Sequence, residues 1–308
     1  MRIEHCTLCP RKCGAVREPR SGGGFCGMGA DPVVARAALH FWEEPCISGT
    51  RGSGTVFFTG CSLKCVFCQN YQISTERAVG KTVTVQELAA IFDRLVYQGA
   101  HNINLVNPTH FALPIAETLR LHRPPVPVVY NSGGYESAET LRMMDGLVDI
   151  YLPDLKYVDG SLAEKYSGAP DYVETAKEAI LEMVRQTGPA QYDENGMMLR
   201  GTIVRHLILP GHTRNSIGVL DWLGANLPEG VPVSLMAQYT PCGRAQEFPE
   251  INRMITKREY EKVQQRLFDL NLDGFVQDRT SAGRKFIPPF NLEGVSENSP
   301  LDKSAILE

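Results

Sequence analysis

The chain has 308 residues, a formal net charge of −4 and 43% hydrophobic residues, enough for one large α/β domain with an appendage. Mild acidity argues against nucleic acid as the main partner, because phosphate binding needs a concentrated basic surface. No apolar run approaches the roughly 20 residues that span a bilayer, and the start, MRIEHCTLCP, lacks the apolar stretch of a signal peptide, so a soluble, cytoplasmic protein with no membrane partner is expected.

Residues 1–52 are rich in Cys, Gly, Pro and Arg and read as a small loop-rich unit. In a long chain without a secretion signal, cysteines read as metal ligands or redox groups and not as a disulfide framework. Cys6, Cys9, Cys13 and Cys26 follow the spacing C-x2-C-x3-C-x12-C within CTLCPRKCGAVREPRSGGGFCG. Four thiolates saturate a metal, and the glycines let the loop wrap around it. A metal also explains how so small a unit holds its shape. An iron–sulfur cluster and a zinc ion both suit this spacing; a reduced, metal-free set is the plain alternative. Arg11, Lys12, Arg17 and Arg20 read as a solvated face. Glu43 and Glu44 read as an exposed acidic turn or as partners of Arg51, and Cys46 as a small packed residue.

From residue 53 the pattern changes. Short runs rich in Val and Ile (GTVFF, INLVN, VPVVYN, VDIYLPDLK, GTIVRHLIL, VPVSLMAQY, DGFVQ) alternate with amphipathic segments such as TVQELAAIFDRLVYQG and KREYEKVQQRLFDLNL. Such alternation predicts βα units around a parallel sheet, and six or seven of them fit a full or partial (β/α) barrel. Residues 53–288 are assigned to this barrel and residues 289–308 to a mobile C-terminal tail. In such a barrel, function gathers on loops at the C-terminal ends of strands. Polar residues stand at these ends: Asn107, Thr109 and His110, then Asn131 and Ser132, then Asp154 and Lys156, then Gln238, Tyr239 and Thr240, with Arg205 and His206 inside a strand. Strand ends are commonly polar because they meet water, but this set converges around a cysteine loop.

That loop is CSLKCVFCQN, directly after GTVFFTG, and it carries Cys61, Cys65 and Cys68. A strand followed at once by C-x3-C-x2-C is a specific signal. Zinc ribbons favour paired C-x2-C knuckles, and bacterial ferredoxins use C-x2-C-x2-C with a distant fourth cysteine. A structural zinc loop or buried reduced cysteines is the plain alternative. Three thiolates leave one coordination position open.

The spacing resembles that of the radical S-adenosylmethionine (SAM) superfamily, and Phe67 fits the aromatic position just before that motif's last cysteine. Such enzymes hold a 4Fe–4S cluster by three cysteines and leave the fourth iron for the amino and carboxylate groups of SAM. The resemblance therefore implies reductive cleavage of SAM to methionine and a 5′-deoxyadenosyl radical, which abstracts a hydrogen atom from a substrate. It implies an electron donor such as flavodoxin or ferredoxin. Over most of residues 53 to 280 the chain is similar to the pyruvate formate-lyase activating enzymes, in particular their shorter branch. VVYNSGGY resembles that family's TNG segment, LPDLKY its LDLK segment and VRHLILPGHT its IRYVVVPG segment, and SLMAQYTPCG lines up with its sixth-strand end. By that resemblance Lys156 and Arg205 contact the SAM carboxylate or ribose, Asp154 and Asn131 supply polar contacts, and Phe67 and Tyr239 border the cofactor.

Two places depart from the family. Its Gly-Gly-Glu segment, which binds the SAM amino group, is replaced by NPTH, leaving Asn107, Thr109 or backbone carbonyls to accept those hydrogens. The family's histidine at the sixth strand is replaced by Thr240. Cys242, nearby, reads as a packed residue or a radical relay. The expected activity is hydrogen abstraction from a backbone glycine of a partner protein. A radical SAM enzyme acting on another peptide, protein or small molecule is the second reading. An iron–sulfur or zinc protein for electron transfer or scaffolding is the third.

Overall fold

The computed structural model describes residues 1–277, 283 and 287–296. Its elements run β1 (Val33–His40), α1 (Pro45–Ser48), β2 (Ser53–Phe58), α2 (Tyr71–Ser74), β3 (Lys81–Thr82), α3 (Val85–Tyr97), β4 (Ile103–Val106), α4 (Ala112–Leu121), β5 (Val128–Ser132), α5 (Ala138–Met144), β6 (Ile150–Pro153), α6 (Gly160–Ser167), α7 (Tyr172–Thr187), β7 (Gln191–Tyr192), β8 (Met198–Thr202), β9 (Val204–Leu207), α8 (Thr213–Asn226), β10 (Val233–Met236), α9 (Lys257–Asp269) and β11 (Gly274–Val276). The helices obey local chemistry. In α3 the Thr84 hydroxyl accepts from Glu87 N while the Glu87 carboxylate accepts from Thr84 N, a reciprocal cap. Leu88, Ile91, Phe92 and Leu95 recur at helical spacing and are buried, so this face packs on the sheet.

Strands β2, β4, β5 and β6 pair in parallel, and so do β9, β10 and β11. The two sets join through one bent strand. Its first part, β8, pairs with β6, and its second part, β9, pairs with β10. Ile203 N donates to Tyr151 O at 3.0 Å and Leu155 N to Arg205 O at 2.8 Å across the join. The result is the expected partial (β/α) barrel of the radical SAM type, built on βα units in chain order.

The edges differ from a plain barrel. Strand β1, within the expected loop-rich unit, pairs antiparallel with β2 in the main sheet. Its far edge is covered by β3 and by residues of the expected tail: Leu292 N donates to Ala35 O, Ala37 N to Glu293 O, and Arg36 pairs with Glu293 at 2.8 Å. Residues 289–296 are therefore pinned to the sheet, not mobile. This covers an edge that would otherwise present unpaired backbone groups. Residues 297–308 of the expected tail lie outside the described residues. Among the described residues no helix is long and apolar enough to cross a membrane.

Period-2 alternation decides what faces the barrel interior. Tyr130, Tyr151 and Val204 point outward into the helix-side cores. Val129, Ile150 and Leu152 point inward and pack against Cys46 and Ile47. The segment after β1 thus runs across the N-terminal mouth of the barrel and plugs it. The opposite mouth, at the strand C-termini, stays open.

Candidate active site

The open mouth holds a cavity of about 260 Å³, bordered by the β2 loop on one side and by Asn131, Asp154, Lys156 and Arg205 on the other. The loop is sharply bent at Gly60, with φ 87°, where a Cβ would stand 2.5 Å from Met28 Cγ. Only glycine suits this turn. Cys61, Cys65 and Cys68 all border the cavity, as does Phe67, whose ring packs 5.9 Å from that of Tyr239.

Each sulfur has donors or partners aimed at it. Leu63 N donates to Cys61 Sγ at 3.3 Å, the Ser74 hydroxyl donates to Cys68 Sγ at 3.3 Å, and Asn70 N–H also faces Cys68. Cys65 Sγ lies 3.0 Å from the Ser167 hydroxyl. Asn107, in a left-handed conformation with φ 58°, donates to Gly60 O at 2.6 Å and accepts from the Cys61 thiol. Burial pushes all three thiols up, Cys68 to about 11, and their mutual proximity adds to this for Cys61 and Cys68, while Lys156 acts in the opposite direction. Protonated thiols are the comfortable state without a cation, and a metal centre reverses that preference. Among the described residues no three His, Cys, Asp or Glu side chains are already drawn into a formed metal site, these three cysteines included.

Opposite the thiols lies a connected charge network. Lys156 Nζ pairs with Asp154 Oδ2. Arg205 pairs with Asp154 at 3.2 Å and with Glu43 at 3.0 Å, and donates to Asn131 Oδ1. Asn131 and Asn104 donate to the other Glu43 oxygen at 3.2 and 3.3 Å. Burial alone would push Asp154 up, but Lys156 and Arg205 outweigh it and hold the carboxyl below its ordinary value. Burial works against Lys156 likewise, and Asp154 with Cys65 outweighs it, so the ammonium stays charged.

Several expected residues behave otherwise. Thr109 is buried away from the cavity and donates to Glu136 at 2.8 Å, so its hydroxyl is committed. The Tyr239 hydroxyl donates to Ile251 O at 2.7 Å, and only its ring supports the site through Phe67. His110 and His206 are buried, bonded to Thr59 O and Leu155 O; desolvation lowers them to about 3 and about 4, and both are neutral. Cys242 borders a second concavity with Gln69, Tyr71 and Pro241. Glu43 is neither an exposed turn nor a partner of Arg51, whose guanidinium bonds the His101 ring at 3.0 Å. Glu44 is buried too, and its carboxyl is pushed up by desolvation and by Glu43, against the pull of Arg205. Nothing in the local pattern FWEEPCISG marks these acids as interior; only the crossing of the barrel mouth brings Glu43 to Arg205.

Three thiols on one loop, sulfur-directed N–H and O–H donors, and an open face toward a charged cavity fit a cluster with one free coordination position. Comparison with known proteins agrees. Residues 55–223 match the Radical SAM superfamily model. An uncharacterized protein of Methanocaldococcus jannaschii, MJ0674, is 31% identical over 283 residues, 88% of this chain and 76% of that protein. Among solved structures, methylornithine synthase PylB is similar with a TM-score of 0.48 and 15% identity, over 79% of this chain and 65% of that one. Streptococcus suis SuiB bound to precursor peptide SuiA gives 0.46 and 12%, over 71% and 46%. A domain of pyruvate-formate lyase-activating enzyme from Bacteroides vulgatus gives 0.37 and 15%, over 63% and 91%. The match thus spans less than two thirds of PylB and of SuiB. With more than half of its length matched by the family model and the thiol loop at the barrel's open mouth, the chain belongs to the radical SAM superfamily.

Proposed function

We infer that the protein cleaves SAM reductively and directs the resulting radical at a peptide segment of a partner protein, in the manner of a glycyl-radical-enzyme activase. When bound, the 4Fe–4S cluster supplies the electron that breaks the sulfonium C–S bond. Cys61, Cys65 and Cys68 would hold it. Lys156 lines the cavity together with the three thiols and suits the SAM carboxylate, because a charge-assisted hydrogen bond contributes roughly 1.5–3 kcal/mol. Arg205, Glu43 and Asn131 form the polar floor beneath, and the Ile47 plug keeps water from entering the barrel from below.

The observation that favours a peptide is the second concavity, of about 400 Å³, which adjoins the first through Gln69 and Ile287. Gln69, Gln72, Gln246 and Asn252 border it, and side-chain amides both donate to and accept from an extended backbone. The resemblance to activating enzymes supports a backbone glycine as the hydrogen donor.

The test is anaerobic turnover with SAM and dithionite, with and without a partner protein carrying deuterated glycine. Formation of 5′-deoxyadenosine carrying deuterium is expected, and Cys61→Ala, Cys65→Ala and Cys68→Ala should each abolish it while the fold persists. Deuterium-free product in every partner tried, with turnover stimulated by a small molecule, would overturn the peptide reading. Undiminished 5′-deoxyadenosine in the cysteine variants would overturn the assignment of the site.

A further inference from the structure

Outside the barrel, Cys6, Cys9, Cys13 and Cys26 are neighbours, and like the thiols of the β2 loop no three of them are yet drawn into a formed metal site. Cys9 lies within electrostatic reach of Cys6 and Cys26, and Cys26 within reach of Cys6 and Cys13. The backbone builds this approach. Ile3 and Arg17 exchange hydrogen bonds at 2.9 and 2.8 Å, and Cys6 pairs with Ala15 and Gly14 across the same turn. Lys12 N closes a tight turn onto Cys9 O at 3.0 Å. Cys13 and Cys26 are each followed by a glycine in the left-handed region, Gly14 with φ 64° and Gly27 with φ 69°, a bend that glycine alone adopts freely. The N–H two residues after Cys9, that of Arg11, faces the Cys9 sulfur, and the N–H of Met28 faces Cys26 in the same way. The Leu63 and Asn70 N–H groups face Cys61 and Cys68 at the same offset. The two thiol loops thus repeat one local design.

A separate observation favours an anion here. Arg17 is 1% exposed, and its guanidinium donates to Met28 O, Gly29 O and His110 O. Among the described residues no carboxylate pairs with it; the groups of opposite potential charge are sulfurs, with Cys6 Sγ at 3.6 Å and Cys26 close by. A buried guanidinium stays charged and is costly without a counter-charge. Four thiolates around a divalent ion carry a net charge of about −2 and supply it.

We propose that Cys6, Cys9, Cys13 and Cys26 form a second, four-thiolate metal site, with Arg17 as its buried counter-charge. It abuts the radical-cluster loop. Arg11, between two of its cysteines, donates to Ser62 O at 2.9 Å, and Cys26 O lies 3.2 Å from the position a Cβ on Gly60 would take. The centre therefore braces the loop that carries Cys61, whether it is zinc or an iron–sulfur cluster. The inference goes beyond the proposed reaction and does not depend on it.

The test uses the full chain with Cys61, Cys65 and Cys68 all replaced by alanine, which removes the first site. After anaerobic loading with zinc(II), or with iron(II) and sulfide, about one zinc or about four irons per chain are expected to remain after desalting. Visible absorbance identifies the cluster and its absence the zinc form. Adding Cys9→Ser and Cys26→Ser should remove that metal, and Arg17→Leu should lower its retention at least tenfold while Arg17→Lys restores part of it. Chelation should expose residues 1–52 to limited proteolysis in the otherwise wild-type chain, a readout that survives if the multiple variant fails to fold. Sub-stoichiometric metal in the folded variant, or metal indifferent to Cys9 and Cys26, would overturn the proposal, as would proteolysis unaltered by chelation.

Discussion

At the residue scale, Arg205 and Lys156 divide two tasks that the sequence assigned to both. Arg205 lies among Glu43, Glu44 and Asp154 and is the cation that balances them. Lys156 pairs with Asp154 alone and leans toward Cys65. Removing one partner of a buried pair leaves an uncompensated charge, which costs about 3–5 kcal/mol. Arg205→Ala is therefore expected to lower stability by about that amount, read as a shifted urea midpoint. Lys156→Ala leaves Asp154 paired with Arg205, so it should keep most of the stability and weaken SAM binding about tenfold or more, measured by anaerobic equilibrium dialysis. Equal stability losses in the two variants would contradict this division.

At the element scale, the turn from β5 into α5 explains why the Thr109 hydroxyl, expected at the cofactor, is committed elsewhere. Gly134, with φ 79°, brings the chain so close to Asp154 O that a Cβ would stand 2.0 Å from it. The turn then sinks Glu136 beneath the sheet, where it accepts from Thr109 at 2.8 Å and from Tyr130 at 3.1 Å. Desolvation raises its carboxyl from 4.5 to about 7, against the pull of these hydroxyls. Between these values the unfolded chain releases its proton while the folded chain keeps it, so stability falls as pH rises from 4.5 to about 7. The loss is on the order of 3 kcal/mol. Glu136→Gln cannot ionise, and its stability measured by urea unfolding from pH 5 to 8 should lack this decline. A parallel decline in both proteins would assign the effect to other groups.

At the scale of the whole molecule, the N-terminal segment is part of the barrel, not an attachment to it. After β1 it crosses the barrel mouth, inserts Cys46 and Ile47 among Val129, Ile150 and Leu152, and delivers Glu43 to the cavity floor. Ile47 is fully buried, and truncating a buried isoleucine costs about 2–5 kcal/mol. Ile47→Ala should lower the urea midpoint accordingly and should also weaken SAM binding, because the plug positions Glu43 against Arg205. A stability loss with unchanged affinity would separate plug from site. The same continuity carries the cysteine-rich loops of residues 1–30 onto the β2 loop, so three stretches far apart in sequence meet around Cys61.

The βα alternation, the cysteine loop, the strand-end residues Asn131, Asp154 and Lys156, and Arg205 inside its strand were all legible in the sequence. Each rests on a local rule: side-chain alternation, the spacing of ligands on one loop, and the position of loops after parallel strands. Tertiary structure alone decided the rest. Glu43 is an interior acid because the chain turns beneath the barrel, and its neighbours in sequence carry no record of that turn. Thr109 and Tyr239 stand at strand ends as expected, yet their hydroxyls answer to Glu136 and Ile251 O, since a buried donor takes whichever acceptor packing brings within reach. Arg17, in a basic stretch that reads as solvated, is enclosed because Met28 O, Gly29 O, His110 O and Cys6 Sγ are brought around its guanidinium from separate parts of the chain. Periodicity and spacing report what a residue's own element does; burial and pairing depend on which distant elements arrive, and only the folded chain brings them together.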